Sequence, residues 1–328
     1  MNVAPIFINE KHQATFDRQG FVIIPDFLLK EEVIHMDRFF DEMHPNLPND
    51  GFFAGSYSPD MAYKQKVSKE IKHIYHRAYE TFFKDYTPFG GAFLFKMPSE
   101  NSDLFIHQDW TVVDESKHLA LNIWVPLCDI NMENGPLMVI PGSHFANYPT
   151  LRAPTMRYFF DHDIKTTMQQ LEPIIVKAGT AVVLNQSLVH YSPPNRSGTI
   201  RKAITSGLKT KDAQMIFHFS DPQKPSLQIE NFEVGDDFFI QFDDFFSDIY
   251  KRPIMGRSIG NFEYSVPMLS GIELKDQFGK MRISAGFSPV EYPEKNIEMI
   301  NRAEVSFFKT YTPKNMILEV FGRIRKLF

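Results

Sequence analysis

Residues 118–144 read HLALNIWVPLCDINMENGPLMVIPGSH. Two short apolar runs, His118–Leu127 and Pro136–Pro141, flank a turn signal at Asn134-Gly135-Pro136. Runs of this length, bounded by Gly, Pro and Asn, predict strands. The same texture continues on both sides. Gly91–Met97, Pro173–Val176, Thr180–Leu184, Arg201–Leu208 and Gln214–Phe219 are further short apolar runs, set apart by turn residues such as Ala178-Gly179 and Pro193-Pro194-Asn195. Many short strands without intervening helices predict a sandwich or a barrel.

The flanks differ. Gly20–Pro25 reads as a short strand. A helix is expected from about Leu29, where Leu29, Val33, Met36, Phe40 and Met43 recur at helical spacing. A second is expected over Lys66–Asp85, with Val67, Ile71, Ile74, Ala78 and Phe82 as its apolar stripe and Pro88, Gly90 and Gly91 ending it. Towards the C-terminus, Asp236–Tyr250 places Phe238, Phe239, Phe242, Phe245, Phe246 and Ile249 on a helical stripe, and Lys314–Phe328 reads as a basic amphipathic helix. The fold class is α+β, mainly β. Residues 1–219 form the core domain, and residues 220–328 form an elaboration packed on it.

Composition narrows the function classes. The chain has 328 residues, 43% hydrophobic and 23% charged, a globular balance that excludes wholesale disorder. The net charge of −5 argues against a nucleic-acid binder, which needs a basic field to collect phosphates. Cys128 is the one cysteine, so no intrachain disulfide forms and a reducing compartment is expected. No apolar run approaches the roughly 18 residues of a membrane span, and the N-terminus lacks the charged and apolar regions of a signal peptide. A soluble cytoplasmic protein is the expectation. The 32 Phe are unusual in number, and most must be core.

Chemistry enters at Phe105-Ile106-His107-Gln108-Asp109-Trp110. In an extended segment, residues i and i+2 face the same side, so His107 and Asp109 can aim at one ion. His190 lies at the end of another expected strand. Two His and one carboxylate form the facial triad of non-haem Fe(II) oxygenases, with three positions left open. The H-x-D pattern alone is weak. His35-Met36-Asp37 repeats it inside the first expected helix, where i and i+2 diverge by roughly 200° and cannot share an ion.

Context strengthens His107. It is followed by Leu121-Asn122-Ile123-Trp124-Val125-Pro126-Leu127, by the turn Asn134-Gly135-Pro136-Leu137-Met138-Val139-Ile140-Pro141-Gly142-Ser143-His144, by His190 with Asn195-Arg196-Ser197, and by Arg201. This ordered set, over roughly Phe21–Phe219, resembles the phytanoyl-CoA dioxygenase family of Fe(II)/2-oxoglutarate oxygenases. The C-terminal third carries no such likeness. The resemblance implies a double-stranded β-helix, a jelly roll of cupin type whose mouth holds the metal. It implies His107, Asp109 and His190 as iron ligands, and Arg201 as partner of the distal carboxylate of 2-oxoglutarate. Trp124 matches a position lining the co-substrate pocket, with Gln108 and Ser192 as further polar contacts. The implied cofactors are Fe(II), 2-oxoglutarate and O2. With neutral His ligands, the charges of iron, Asp109, 2-oxoglutarate and Arg201 cancel, which avoids an isolated buried charge. An Arg fits the far carboxylate because its planar fork bonds both oxygens. Iron halogenases of this fold carry Gly or Ala at the carboxylate position, so Asp109 argues against halogenation; hydroxylation of a small organic substrate, releasing succinate and CO2, is the default, with desaturation and ring closure on the same centre left open. The alternative is a non-catalytic jelly-roll binder that retains the metal site.

Other candidates read as structural. His144 belongs to a turn, His73 and His76 to the exposed side of a helix, His162 to a loop, and His118 and His218 to strand ends. Asp236-Asp237 reads as favouring a helix N-terminus and Asp243-Asp244 as a solvated face, because no calcium-loop pattern is present. Arg152 and Arg157 either bind an acidic group or lie in solvated loop. The C-terminal helix either packs on the barrel or contacts a membrane surface.

Overall fold

A computed structural model of the chain describes residues 3–145, 151–221, 228–288 and 290. The expected helix Lys314–Phe328 lies outside them. The chain opens with α1 (Glu10–Gln19), β1 (Phe21–Ile24), α2 (Lys30–Met43), β2 (Phe52–Ala54) and α3 (Met61–Phe82). The eight strands of a jelly roll follow: β3 (Tyr86–Lys96), β4 (Leu104–His107), β5 (Ala120–Pro126), β6 (Leu137–Val139), then α4 (Ile164–Met168), β7 (Glu172–Ile174), β8 (Ala181–Asn185), β9 (His190–Ser192) and β10 (Arg201–Thr210). The last part holds β11 (Met215–Phe219), β12 (Gln228–Val234), α5 (Phe245–Asp248), β13 (Arg257–Glu263) and α6 (Gly271–Ser284).

The strands form two facing antiparallel sheets and one satellite. The larger runs β1-β8-β5-β10-β3-β2 and the smaller β4-β9-β6-β7. From β3 to β10 the chain alternates between the two except at the β6–β7 pair within the smaller sheet, which is the winding of a double-stranded β-helix. Burial follows the period-2 rule. Leu121, Ile123, Val125, Ala181, Val183, Ile204 and Leu208 face the N-terminal helices. Trp124, Val182, Leu184 and Ala203 point the other way, towards Leu137, Val139 and Ile174 of the smaller sheet. Fully burying each large side chain contributes about 1.5–3 kcal/mol.

Each expected strand forms, with ends shifted by a few residues, but four details differ. Helix α1 was not expected from the pattern, since Phe16 is its one buried residue. Its ends carry the signal: Asn9 caps Lys11 and His12 amides, and Gly20 closes it in the left-handed region at φ 81°. Secondly, α3 stops at Phe82, and Pro88, Gly90 and Gly91 lie inside β3 rather than after a helix. Gly90 and Gly91 form a bulge opposite Ser206. A Cβ on Gly91 would come within 2.9 Å of the Ser68 backbone, so glycine there lets α3 pack closely on the sheet. Thirdly, Asp236–Tyr250 is no continuous helix. It contains a 3-10 turn at Phe238–Ile240 and the four-residue α5, with Asp244 capping the Ser247 amide. Asp243 and Asp244 are both exposed, as expected, with Asp244 also serving as a cap, whereas Asp236 and Asp237 face Lys209 and Lys72. Lastly, β11 joins β12 and β13 in the third sheet, so that sheet runs across residue 219. Helix α6 buries Leu274 and Phe278 against Phe159 and Ile164, behind the smaller sheet. No helix among the described residues is long and apolar enough to cross a membrane.

Candidate metal centre

The register of β4 and β9 pairs His107 directly with His190. Their rings lie 4.1 Å apart between centroids. Asp109 sits two residues past the end of β4, and its Oδ1 is 3.9 Å from His107 Nε2 and 4.0 Å from His190 Nε2. Among the described residues these three form the one cluster of His, Cys and carboxylate side chains that could hold a metal ion.

The surrounding bonds orient each donor atom. His107 Nδ1 donates to the Phe105 carbonyl at 2.8 Å, and His190 Nδ1 donates to the Leu188 carbonyl at 2.9 Å. A carbonyl only accepts, so the proton sits on Nδ1 and each Nε2 lone pair is free for a cation. Burial, and then the adjacent His190 ring, lower the His107 pKa to about 3, which keeps that imidazole neutral. Asn122 Nδ2 donates to Asp109 Oδ2 at 3.2 Å, while Thr205 Oγ1 bonds Asn122 Oδ1. One carboxylate oxygen is therefore tied and the other faces the imidazoles. This donor set fits a hard or borderline divalent cation with open coordination positions.

Behind the triad the motif turns hold β9. Ser143 Oγ accepts from the Val189 amide at 2.9 Å, and Ser192 Oγ donates to the Gly135 carbonyl at 3.1 Å. Asn195 is fully buried and donates to the Lys96 and Thr199 carbonyls, fixing the loop that leads into β10. Arg201 begins that strand. Its guanidinium is buried and its Nε has no partner, a polar group that calls for a ligand. It lies 5.5 Å from the Trp124 ring, and burial lowers its pKa to about 10. Gln108 donates to the Ser187 carbonyl at 2.5 Å, leaving Oε1 unpaired. A cavity of about 360 Å³ brings together His107, Asp109, His190, Arg201, Trp124, Gln108 and Ser192.

The remaining candidates fall elsewhere. His35 bonds Glu70 and Asp37 bonds Lys202, so the second H-x-D diverges. His144 is buried and bonds the Asp17 carbonyl at 3.0 Å. His73, His76 and His162 are exposed, His118 is half-buried, and His218 is buried within β11. Arg157 is exposed beside Asp161. Arg152 is neither solvated nor free for a ligand. It is 1% exposed, pairs with Glu115, and donates from Nε to the Asp109 carbonyl at 2.7 Å. Asn122, Thr205 and Arg152 were missed as parts of the site. Period-2 spacing from Trp124 and from Arg201 reaches Asn122 and Thr205; for Arg152 the sequence holds no such signal.

A family model described as phytanoyl-CoA dioxygenase (PhyH) matches residues 16–203, a span containing the triad and Arg201. Phytanoyl-CoA dioxygenase 1 of Oryza sativa subsp. japonica is 25% identical over 239 residues, 58% of this chain and 85% of that protein. Phytanoyl-CoA dioxygenase domain-containing protein 1 of Mus musculus is 31% identical over 120 residues, 34% of this chain and 41% of that protein. Among solved structures, the non-heme alpha ketoglutarate dependent carbocyclase SnoK from nogalamycin biosynthesis aligns at a TM-score of 0.49 and 20% identity, covering 63% of this chain and 86% of that one. The family match spans more than half of the sequence, and the chain belongs to the phytanoyl-CoA dioxygenase family of Fe(II)- and 2-oxoglutarate-dependent oxygenases.

Proposed function

We propose that this protein uses Fe(II), 2-oxoglutarate and O2 to hydroxylate a small organic substrate, with His107, Asp109 and His190 holding the iron. One observation carries this reading: three donor atoms face one point, each fixed by a bond on its far side. When bound, iron with 2-oxoglutarate supplies the oxidising power to place one oxygen atom of O2 on a substrate carbon, as succinate and CO2 leave.

The chain's own residues do the positioning. Arg201 receives the distal carboxylate of 2-oxoglutarate through its planar fork, and Trp124 covers that guanidinium. Gln108 and Ser192 line the same cavity. The apolar barrel interior excludes water from the reacting atoms. The half-buried Cys128 and the need for ferrous iron favour a reducing compartment such as the cytoplasm.

The test is succinate release. Anaerobic addition of Fe(II) and 2-oxoglutarate should give a charge-transfer colour, and aerobic turnover should release succinate only with iron present. His107→Ala should abolish both. Normal turnover in that variant would overturn the metal assignment.

A further inference from the structure

The cavity before the candidate metal centre has a wall that the eight barrel strands do not supply. Trp110 follows Asp109, Tyr57 follows β2, and Phe239, Phe245, Phe246 and Tyr250 come from the segment between β12 and β13. These rings pack on one another. Tyr57 lies 4.6 Å from Phe245 and 4.7 Å from Phe246, and Trp110 stacks on Phe245 at 6.0 Å with 9° between planes. Phe246 is 41% exposed although it lines a cavity. Apolar ring surface left uncovered beside polar groups that converge on one point is the makeup of a ligand pocket.

Charge has the opposite distribution. Among the described lining residues, Arg201 is the one Lys or Arg and Asp109 the one carboxylate. Both are used by the proposed iron and 2-oxoglutarate, so no lysine or arginine of the lining is left for a substrate phosphate or carboxylate. The wall does hold a neutral donor. The Tyr57 hydroxyl has no hydrogen-bond partner among the described residues, and burial, then Tyr250 and Asp109, raise its pKa to about 12. It stays protonated and available.

We propose that the substrate is an uncharged, hydrophobic molecule with at least one ring, seated on this aromatic wall with a carbonyl or hydroxyl oxygen accepting from Tyr57. The proposal rests on the oxygenase reading of the same cavity. It assigns the segment 239–250 to substrate choice. It also disfavours acyl thioesters of coenzyme A, since among the described lining residues Arg201 is the one Lys or Arg that could meet their phosphates.

Equilibrium dialysis of the full-length protein tests it, under anaerobic conditions with Fe(II) and 2-oxoglutarate and again without them. The probes are α-tetralone and testosterone as neutral ring ketones, tetralin as the matched hydrocarbon, and lauroyl-CoA. At least one ketone should bind with a Kd below about 100 µM, and lauroyl-CoA should bind at least about tenfold more weakly. Phe246→Ala should weaken the ketone about tenfold, as expected for an aromatic anchor. Tyr57→Phe should weaken the ketones about fivefold and leave tetralin unchanged, as for one lost hydrogen bond. Absence of ketone binding, tighter binding of lauroyl-CoA, or variants without effect would overturn the proposal. The charge-transfer colour separates the two readings. If it forms while ketones fail, only the substrate class is wrong; if ketones bind without it, the wall is right and the oxygenase reading fails.

Discussion

Arg152 donates from Nε to the Asp109 carbonyl at 2.7 Å, so a buried guanidinium holds the loop that carries the carboxylate of the triad. Its two Nη atoms pair with both oxygens of Glu115. Thr111 and Arg152 add reciprocal bonds, the Thr111 amide to the Arg152 carbonyl and the Arg152 amide to Thr111 Oγ1. In the proposed metal centre Arg152 is a positioning residue, acting through Asp109.

Arg152→Ala should therefore have two measurable effects. Removing the buried Arg152 guanidinium from the partly buried Glu115 should destabilise the fold by about 3 kcal/mol in chemical denaturation. Loosening Asp109 should weaken Fe(II) binding by about 10- to 100-fold in calorimetric titration. A second variant, Arg152→Met with Glu115→Gln, should recover stability but not metal affinity. Recovery of both would show the pair to be structural only.

The Asn122 amide bonds the Asp109 oxygen that does not face the imidazoles, and Thr205 bonds Asn122 in turn. Asn122→Leu fills the same space without the donor. It should lower Fe(II) affinity about tenfold while changing stability by less than about 1.5 kcal/mol. Thr205→Val should have a smaller effect in the same direction. Unchanged metal affinity in Asn122→Leu would show that Asp109 needs no support.

The barrel was legible because its strands are short apolar runs punctuated by Gly, Pro and Asn, a pattern that survives packing. The convergence of His107, Asp109 and His190 was legible because an ordered set of turns surrounds them. What escaped depends on chain geometry far from the motif. Arg152 reads as one more loop arginine until the fold brings residue 109 beside it. Asn122 was hidden in an otherwise apolar strand, although one polar residue on the face it shares with Trp124 is itself a signal. The stripe over 236–250 misled because its rings pack on different neighbours, Phe238 and Phe242 in the core, Phe239 on Trp110 and Phe245 and Phe246 on Tyr57, so spacing near 3.6 arose without a helix.

His144 supplies a pH dependence. Its ring is buried, Nε2 bonds the Asp17 carbonyl, and Nδ1 has no partner. Burial lowers its pKa from 6.5 to about 4, against a smaller opposing effect of the Asp17 bond. The unfolded chain then binds more protons than the fold between pH 4 and 6.5. This contribution is complete above the unfolded value and is lost as pH falls through that window, amounting to about 3 kcal/mol. His144→Gln should flatten the stability–pH curve by about one proton when urea unfolding is compared at acidic and neutral pH. A curve as steep as that of the unaltered protein would mean that His144 does not titrate on unfolding.

Arg201 sets function against stability. The guanidinium is 3% exposed, its Nε is unpaired, and the Trp124 ring lies 5.5 Å away. A buried, incompletely paired cation is destabilising until an anion arrives. Arg201→Met keeps the length and apolar stem and removes the charge. Without 2-oxoglutarate, this variant should be more stable than the parent by about 1–3 kcal/mol in chemical denaturation. It should also lose 2-oxoglutarate affinity by about 100-fold or more, since a bidentate charged contact disappears. Arg201→Lys should lose most of that affinity too, because a point charge cannot form the fork. The parent should gain stability when 2-oxoglutarate is added with a divalent metal, and Arg201→Met should not. A less stable Arg201→Met protein, or one that still responds to 2-oxoglutarate, would mean that the guanidinium already has its partner in the fold and is not waiting for the co-substrate.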